Sequence, residues 1–544
     1  MMKIKAHKTV TNEDLDTIIE DIITRRAGEN KHEFLYPQHP DSIPFESLFI
    51  DPKEANVSLK KLITLLKNAF KQKDTIVVYG DYDADGVCAT AIMWETIHML
   101  GISSFPFIPN RRVHGYGLSE AGIDAIVEKY NPKCIITVDN GISAHDAIAY
   151  AKKKGIDVVV TDHHINAQKK ESSATLIFHS TLISGSGLSY FIAREIVKQM
   201  ELKQTEKQKE IQEDHILFAT IGSIADMVPV LGPTRNIIAH GLKRALSTKR
   251  FGIRLMMEDR VTLNSFDVGY IISPKINVFG RIDDPMDALR LLCTNDIAKA
   301  HALFAKSQTL TQTRQNLVFA SSNEHKKYKI NDAIVAIVSD DLDEGIIGLV
   351  AADCLRKCRK PSLVLCKSNG FYKGSMRSTR GVDAAKLLSK LSKFTISSGG
   401  HAMAGGFVIK SEDIDEFLKE ANDEVTSMEK KEIDEFVVDV MLPISHAGIE
   451  LVRKLVQLEP FGPGNEMPLF ATSVTLGNVL SMGKTKKHAR IKTQNAMVDF
   501  VYFNGFDEVE GLVGKETTVV YQLELDTWGG IEKPLRKVIT IIQT

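Results

Sequence analysis

The chain has 544 residues, of which 43% are hydrophobic and 25% charged, and its formal net charge is −1. We therefore expect several soluble globular domains. Because a net charge near zero provides no global basic field, it disfavours a protein that binds duplex nucleic acid in bulk; any contact with a nucleic acid strand must come from local basic clusters.

Residues 1–50 are predicted to form a mixed N-terminal segment, with an acidic helix-like stretch followed by proline-rich extended chain. The first residues lack the apolar stretch of a signal peptide, and no apolar run approaches the length that spans a membrane. The six cysteines are scattered and mostly lie in apolar contexts, which favours reduced core thiols. We expect a cytoplasmic protein.

A first α/β domain is predicted over residues 51–293, and it contains a crowded set of acids. The run DTIVVYG is typical of a buried parallel strand, and VCATAIMWETIHML is typical of a helix. Asp81, Asp83 and Asp85 lie between them. Parallel strands deliver such residues to the crevice at their carboxyl ends, and crowded carboxylates are costly to keep ionised without a cation. The pattern predicts a metal site.

The same arrangement recurs along the chain. The predicted strand in KCIITVDNGIS ends at Asp139, and the one in IDVVVTDHHIN ends at Asp162, followed by His163 and His164. Asp226 follows an apolar helix in GSIADMVPV. A single aspartate at a strand end is usually a cap or turn residue, but three such motifs in register weigh against that explanation. Carboxylates with one or two imidazoles suit Mn²⁺ or Mg²⁺ better than zinc, and paired ions are a standard device for phosphodiester hydrolysis.

A connecting helix is predicted over 294–329 and a second α/β domain over 330–428. In this domain the stretch GSMRS supplies close backbone, hydroxyl groups and a cation, through Ser375, Arg377 and Ser378. A second glycine-rich turn carries Gly399, Gly400 and His401. These are the groups needed to bind a terminal or backbone phosphate.

The last domain is predicted over 435–544, where short alternating strands indicate a small closed or half-closed barrel. A basic run that includes Lys487 and Arg490 precedes an aromatic segment that includes Tyr502. Cations beside aromatic rings suit single-strand binding through phosphate contacts and base stacking. A solvated turn beside ordinary core aromatics explains the same residues equally well.

Several stretches carry a family resemblance. DYDADG, VDNG, TDHH and SIADMVP, in that order, resemble the four motifs of the DHH phosphoesterase superfamily. The wider stretches PNRRVHGYGLS, INVFGRIDD, GGHAMAGGF and LEPFGPGNEMPLF are similar to the RecJ family of single-strand-specific 5′→3′ DNA exonucleases. The resemblance covers nearly the whole chain. It implies a parallel-sheet DHH domain, a smaller α/β DHHA1 domain and a C-terminal OB-like β-barrel that holds single-stranded DNA.

The resemblance also implies roles for individual residues. Two Mn²⁺ or Mg²⁺ ions are implied, with Asp139 bridging them, and the ligands would be Asp83, Asp85, Asp139, His163 and Asp226. His164, Arg281 and Asp81 would act in catalysis, and the two glycine-rich loops would anchor the 5′ side of the strand. The implied enzyme degrades single-stranded DNA to nucleotides in DNA repair and recombination, acts as a monomer, and has single-strand DNA-binding protein as a partner.

Two stretches depart from the family pattern. Where RecJ-like sequences commonly carry Trp-His before the second domain's Ile-Gly, this chain has DLDEGIIG at 341–348, and an Asn-Pro pair is replaced in a region that contains His179.

Two alternative functions stay open: a phosphodiesterase for short oligonucleotides or cyclic dinucleotides, and a non-catalytic replication scaffold. The C-terminal barrel weighs against the first, and the intact acids weigh against the second.

Overall fold

The computed structural model describes most of the chain in two compact units. One unit comprises Phe45–Asp226 with Arg244–Glu432, and the other comprises Met1–Pro44, Met227–Lys243 and Ile433–Thr544. None of the described helices is long and apolar enough to cross a membrane. The described residues are 3–11, 14–165, 172–258, 260–323, 333–368, 370–379, 381–428, 435–484, 486–494, 498–526 and 530–543.

The helices and strands alternate in the order expected of α/β domains followed by a β-rich region. The first elements are β1 (Lys3–Thr9), α1 (Leu15–Ala27), α2 (Lys31–Leu35) and α3 (Pro52–Gln72). The first α/β lobe continues with β2 (Ile76–Tyr79), α4 (Ala84–Met99), β3 (Ser104–Phe107), α5 (Arg111–His114), α6 (Glu120–Tyr130), β4 (Cys134–Val138), α7 (His145–Lys153), β5 (Asp157–Asp162), β6 (Leu176–His179), α8 (Gly185–Gln199) and α9 (Glu206–Ala225). The next helix, α10 (Gly232–Ala245), belongs to the other unit as far as Lys243. The first lobe then resumes with α11 (Phe251–Met257), α12 (Ser265–Asp267), α13 (Ser273–Ile282) and α14 (Met286–Cys293).

A long helix then leads to a second lobe and a C-terminal set of strands. The helix and the second lobe are α15 (Ile297–Asn323), β7 (Val335–Ser339), α16 (Ile347–Cys358), β8 (Ser362–Ser368), β9 (Phe371–Arg377), α17 (Ala384–Lys390), β10 (Thr395–His401), β11 (Ala404–Ile409) and α18 (Ile414–Met428). The C-terminal elements are β12 (Glu435–Met441), α19 (Ile449–Leu455), β13 (Phe470–Met482), β14 (His488–Thr493), β15 (Asp499–Tyr502), α20 (Phe506–Val509), β16 (Glu516–Asp526) and β17 (Lys533–Gln543). The predicted end of the connecting helix and the predicted start of the second domain, 324–332, lie outside the described residues.

The first lobe contains an all-parallel sheet with strand order β3-β2-β4-β5-β6. Its central strands β2 and β4 are buried along their whole length, as their continuous apolar sequence requires. In the sheet, β3 lies on one side of β2 and β4 lies on the other, so the strand order reverses at β2. The carboxyl ends of β2 and β4 therefore flank a topological switch point, where open α/β sheets bind their ligands.

The second lobe has a mixed five-stranded sheet in the order β10-β11-β9-β8-β7. Only β7 and β8 run parallel, and the remaining neighbours are antiparallel. The sheet brings the two predicted glycine-rich loops into one hydrogen-bonded surface, because Ser375 on β9 pairs with Gly406 on β11, which pairs with Gly399 on β10.

The C-terminal strands close into a barrel. The pairs β13–β14, β14–β15, β15–β17, β17–β16 and β16–β13 form a ring of five strands. β12 extends this ring as a parallel neighbour of β13, and β1 pairs in parallel with the outer edge of β12. The N-terminal segment, predicted as a separate region over 1–50, thus shares a sheet with the C-terminal domain. Nothing local in its sequence indicates this, because the partner strand is distant in the chain.

Arg235 joins three separate stretches of the second unit. Its buried guanidinium lies 3.9 Å from the centroid of the Phe34 ring. It donates hydrogen bonds of 2.8–3.1 Å to the carbonyl oxygens of Phe34, Leu458, Glu459 and Pro460. Burial lowers the pKa of Arg235 to about 10. The carbonyl groups compensate the buried cation, which makes it a structural element of this unit.

Candidate active site

The predicted acids meet at the carboxyl edge of the parallel sheet. Asp83 caps α4 by accepting a hydrogen bond of 3.0 Å from the Gly86 amide. Asp139, which directly follows β4, has φ of 61°, the left-handed region that few residues other than glycine adopt. Such conformations concentrate at functional sites, where the surroundings enforce them.

His163 lies at the centre of the acid cluster. Its Nε2 atom is 3.0 Å from Asp139 Oδ1, 3.6 Å from Asp226 Oδ2 and 3.8 Å from Asp85 Oδ2. The His163 Nε2 and Asp139 Oδ1 atoms are nevertheless buried without an aligned hydrogen bond to each other or to another group. Burial lowers the pKa of His163, which favours the neutral imidazole that ligates metals. Both atoms therefore have the character of ligands oriented toward a cation.

Three overlapping groups of side chains could each hold a metal ion, with the ligand atoms of each group within 4.8 Å of one another. They contain all five predicted ligands together with Asp81 and His164. The groups are Asp139 with His163 and His164, Asp85 with His163 and Asp226, and Asp81 with Asp83 and Asp139. Oxygen and imidazole ligands without thiolates fit Mn²⁺ or Mg²⁺. Asp81, predicted to be catalytic, lies among the candidate ligands.

The carboxylates destabilise one another's charged form. Burial, and then the charge of Asp85, raises the pKa of Asp83, of Asp139 and of Asp226 above the usual range. Burial and the charge of Asp83 raise the pKa of Asp81 in the same way. Such an arrangement favours binding of divalent cations, which would compensate the buried negative charge.

The start of α8 and a glycine of α9 approach the Asp85 carboxylate closely and fix its position. The residues that allow this approach were not among the predicted site residues. Asp85 accepts hydrogen bonds from the amides of Gly185 at 2.7 Å and Ser186 at 3.0 Å, at the start of α8. A Cβ atom on Gly222 would lie 2.1 Å from Asp85 Oδ1, and one on Gly185 would lie 2.4 Å from Asp139 Oδ1. Only glycine fits at these two positions.

Asp162 orients the second histidine. It accepts hydrogen bonds from the backbone amides of Ile142, His163 and His164, and its Oδ1 is 2.7 Å from His164 Nδ1. Burial lowers the pKa of His164, but the bond to Asp162 and the surrounding acids outweigh it and raise the value to about 9. The sequence identified Asp162 only as the acid at the end of a strand, inside the TDHH motif, and gave it no role in the site. His179, whose role was open, contacts the His164 carbonyl oxygen through its Nε2 at 2.8 Å.

A cluster of arginines lies beside the acid cluster in the same unit. Burial and the charge of Arg281 lower the pKa of Arg314 and of Arg377, so Arg281 repels each of these two guanidinium groups. Arg377 donates to the Ser375 hydroxyl at 3.3 Å and to the Met376 carbonyl at 3.0 Å, both neutral acceptors. The cluster suits an anion such as a phosphate. Arg314 on α15 was not predicted, because a single arginine in a long helix carries no local signal.

The other predicted phosphate-binding residues take different positions. Ser378 is fully buried and its hydroxyl donates to the Val382 carbonyl, so it stabilises the turn after β9 and is not presented to a ligand. This corrects its predicted role. Gly399, Gly400 and His401 lie on β10 and are exposed.

In the barrel, the structure corrects the prediction for Tyr502. The side chain is 7% exposed, lies in the hydrophobic core, and donates its hydroxyl to Glu508 at 2.7 Å. The alternation along β15 points Tyr502 inward, so its ring cannot stack on a base. The adjacent Phe503 is 47% exposed and packs edge-on against His488. Lys487 and Arg490 are exposed, and Arg490 is paired with Asp499 at 2.7 Å.

Comparisons with protein families agree with this architecture. The chain matches the DHH family N-terminal domain over residues 75–222, the DHHA1 domain over 331–427 and the RecJ OB domain over 438–538. It is 28% identical to the single-stranded-DNA-specific exonuclease RecJ of Bacillus subtilis, over 95% of this chain and 67% of that protein. It is 27% identical to the Haemophilus influenzae protein of the same name, over 87% of this chain and 88% of that protein.

Solved structures show the same fold. The crystal structure of Thermus thermophilus RecJ in complex with Mn²⁺ covers 99% of this chain and 79% of its own, with a TM-score of 0.80 and 23% identity. A structure of exonuclease RecJ bound to manganese covers 68% of this chain and 94% of its own, with a TM-score of 0.57 and 28% identity. The predicted resemblance and the predicted order of DHH, DHHA1 and OB-like domains are confirmed.

Proposed function

We propose that the chain is a RecJ-like member of the DHH family, a metal-dependent exonuclease that degrades single-stranded DNA from the 5′ end. One observation carries the proposal. Three of the acids around His163, namely Asp81, Asp85 and Asp139, are buried; the Asp139 Oδ1 and His163 Nε2 atoms lack hydrogen-bond partners, and Arg281 lies near enough to Asp83 for their charges to attract. Phosphodiester hydrolysis needs both kinds of site next to each other.

The acid cluster would hold two Mn²⁺ or Mg²⁺ ions through Asp83, Asp85, Asp139, His163 and Asp226. When bound, the ions supply activation of water and charge neutralisation at the scissile phosphate. Asp81 lies in the same group of candidate ligands as Asp83 and Asp139 and would support them. Gly185 and Ser186 fix the Asp85 carboxylate, so its position does not depend on the ions.

The histidine and the arginines would bind the substrate. Because Asp162 occupies Nδ1 of His164, Nε2 is the nitrogen that donates to a phosphate oxygen. Arg281 neutralises charge on the scissile phosphate, and Ser375 with Arg377 binds the phosphate at the 5′ end. Water attacks the phosphorus, the bond from phosphorus to the 3′ oxygen breaks, and the remaining strand keeps a 5′ phosphate. Each cut thus regenerates the group that these residues recognise.

The remaining parts of the proposal concern the setting of the activity. The barrel holds the strand through exposed groups such as Lys487, Arg490 and Phe503. The chain acts as a cytoplasmic monomer where cellular DNA is repaired and recombined, with single-strand DNA-binding protein as a partner.

The test uses an oligonucleotide labelled at its 3′ end, offered single-stranded and as a blunt duplex, with Mn²⁺. We expect progressive shortening of the single strand only, loss of activity with a chelator, and recovery with Mn²⁺. Asp83→Ala should abolish cleavage while DNA binding is retained. Asp157→Asn, at the opposite end of β5 from Asp162, is the matched control and should remain active.

Other outcomes would contradict the proposal. Cleavage confined to products of a few nucleotides would indicate a phosphodiesterase for small substrates. Absence of cleavage under all these conditions would favour a scaffold, and full activity of Asp83→Ala would refute the site.

A further inference from the structure

The segment that departs from the family pattern contacts two arginines of the first lobe. Glu344 Oε1 lies 3.3 Å from Arg111 Nε, and Asp343 forms an ion pair with Arg112. Both acids stand in the stretch DLDEGIIG, just before α16. Both arginines open the short helix α5, after the carboxyl end of β3. The contacts therefore neutralise two cations at the sheet edge that carries the acid cluster.

Arg111 is close to the proposed catalytic groups. Its guanidinium lies 5.5 Å from the centroid of the Tyr82 ring, and Tyr82 stands between Asp81 and Asp83 in the chain. Arg111 and Arg112 line a cavity of about 280 Å³ together with Arg281 and Glu344. They also line a cavity of about 520 Å³ with Lys367 and Lys373. Without the acids, this surface would be strongly positive where a DNA strand approaches the site.

Glu344 is held firmly between these cations. Its Oε2 accepts hydrogen bonds from Lys373 at 2.7 Å and Ser368 at 3.0 Å, and its side chain is largely buried. Its Oε1, the atom facing Arg111, is buried without an aligned hydrogen bond. Oε1 therefore offers Arg111 an anionic oxygen of the kind that a DNA phosphate would offer.

We propose that Asp343 and Glu344 act as an internal competitor for DNA phosphates at Arg111 and Arg112. The inference rests on the proposed single-stranded DNA substrate. A strand that contacts these arginines must first displace the two carboxylates, which lowers affinity and limits the number of phosphate contacts. A purely structural role, in which the ion pairs hold the arginines in place for DNA, predicts the opposite effect on affinity.

The experiment measures DNA binding in an Asp83→Asn background, so that the substrate is not cleaved. Asp343→Asn with Glu344→Gln removes both charges, but side-chain oxygens remain that accept hydrogen bonds from the Gly345 amide and from the Ser368 hydroxyl. Fluorescence anisotropy of a labelled single-stranded oligonucleotide, at several salt concentrations, gives the Kd. We expect a Kd at least about fivefold lower, and a dependence of log K on log salt steeper by about 1.4, for two added phosphate contacts on a single strand.

The control and the contrary outcomes are distinct. Glu424→Gln removes one charge from a surface pair with Lys390 in the same lobe and should leave both quantities unchanged. Unchanged or weaker binding by the double variant, with an unchanged melting temperature, would overturn the inference alone. If the double variant misfolds, Glu344→Gln alone takes its place, with a smaller gain in affinity expected. Absence of binding by the Asp83→Asn chain itself would overturn both the inference and the proposed function.

Discussion

The acid cluster around His163 and the arginine cluster around Arg281 are suited to ligands of opposite charge. Each brings like charges together away from water, so each is unfavourable until an ion of the opposite sign arrives. The pKa values move accordingly: those of Asp83 and Asp139 rise, and those of Arg314 and Arg377 fall. Carboxylates can relieve the strain by taking up protons, but guanidinium groups keep their charge at any ordinary pH.

Arg235 in the other unit provides the contrast. It is also a buried cation, but four carbonyl oxygens and an aromatic ring surround it. A buried charge that the protein itself compensates stabilises the fold, whereas a buried charge left without such partners indicates a ligand. Variants that remove each kind of charge should therefore separate activity from stability.

The largest effect is expected for Asp139→Asn. Loss of a carboxylate that would help to hold the ions should lower kcat by about 10³-fold or more, because charge stabilisation of this kind typically contributes several kcal/mol. The metal-free variant should melt at a higher temperature than the metal-free parent, since one repelling charge is gone and asparagine tolerates the φ of 61°. Cleavage assays measure the fall in kcat, and calorimetry with a chelator measures the rise in melting temperature. A lower melting temperature would show that Asp139 is compensated within the protein.

Arg235→Lys should act on stability alone. A lysine cannot reach four carbonyl groups, so we expect the second unit to lose about 3 kcal/mol. Hydrogen exchange checks this, because amide protection should fall along β13 and remain along β2. Arg453→Lys, an exposed arginine of the same unit paired with Glu532, is the control. Equal loss of protection in β2 would show that the two units unfold together.

Arg377→Lys should act on recognition of the strand end. The charge remains but the planar fork is lost, so kcat/KM for a 5′-phosphorylated oligonucleotide should fall by about 10- to 100-fold. The same variant should change little for an oligonucleotide with a 5′ hydroxyl. Comparing the two substrates in steady-state assays decides the point, and an equal fall for both would place Arg377 at the scissile phosphate.

The smallest effect is expected in the barrel. Phe503→Ala should weaken binding of single-stranded DNA by about 1 kcal/mol, the lower end of the range for one base stacked on one ring. Tyr502→Phe should leave binding unchanged, since Tyr502 is buried. Anisotropy in the Asp83→Asn background measures both. Weaker binding by Tyr502→Phe would mean that the inner face of β15 influences DNA contact.

Most of the acid cluster was predictable from the sequence because these acids follow recognisable strands, and parallel strands end at one edge; Asp226 instead follows the apolar helix α9. The sequence could not reveal the glycines at 185 and 222, whose role arises only where helices meet. It indicated aromatic residues near 502 but not which of them faces inward. Neighbouring residues of a strand point to opposite faces of the sheet, but only the folded structure shows which face is buried. Arg314 was recognised only in the folded structure, where the charge of Arg281 lowers its pKa.

The parallel pairing of β1 with β12 has a consequence for the order in which the chain folds during synthesis. Arg25 and Asp439, which form an ion pair beside this sheet, are 414 residues apart in sequence. The first strand therefore leaves the ribosome long before its partner exists, and it carries an unpaired edge during that interval. The two α/β lobes have all their strands available earlier. We expect the catalytic unit to fold first. We expect chaperones to bind the unpaired β1 strand until the barrel strands have been synthesised.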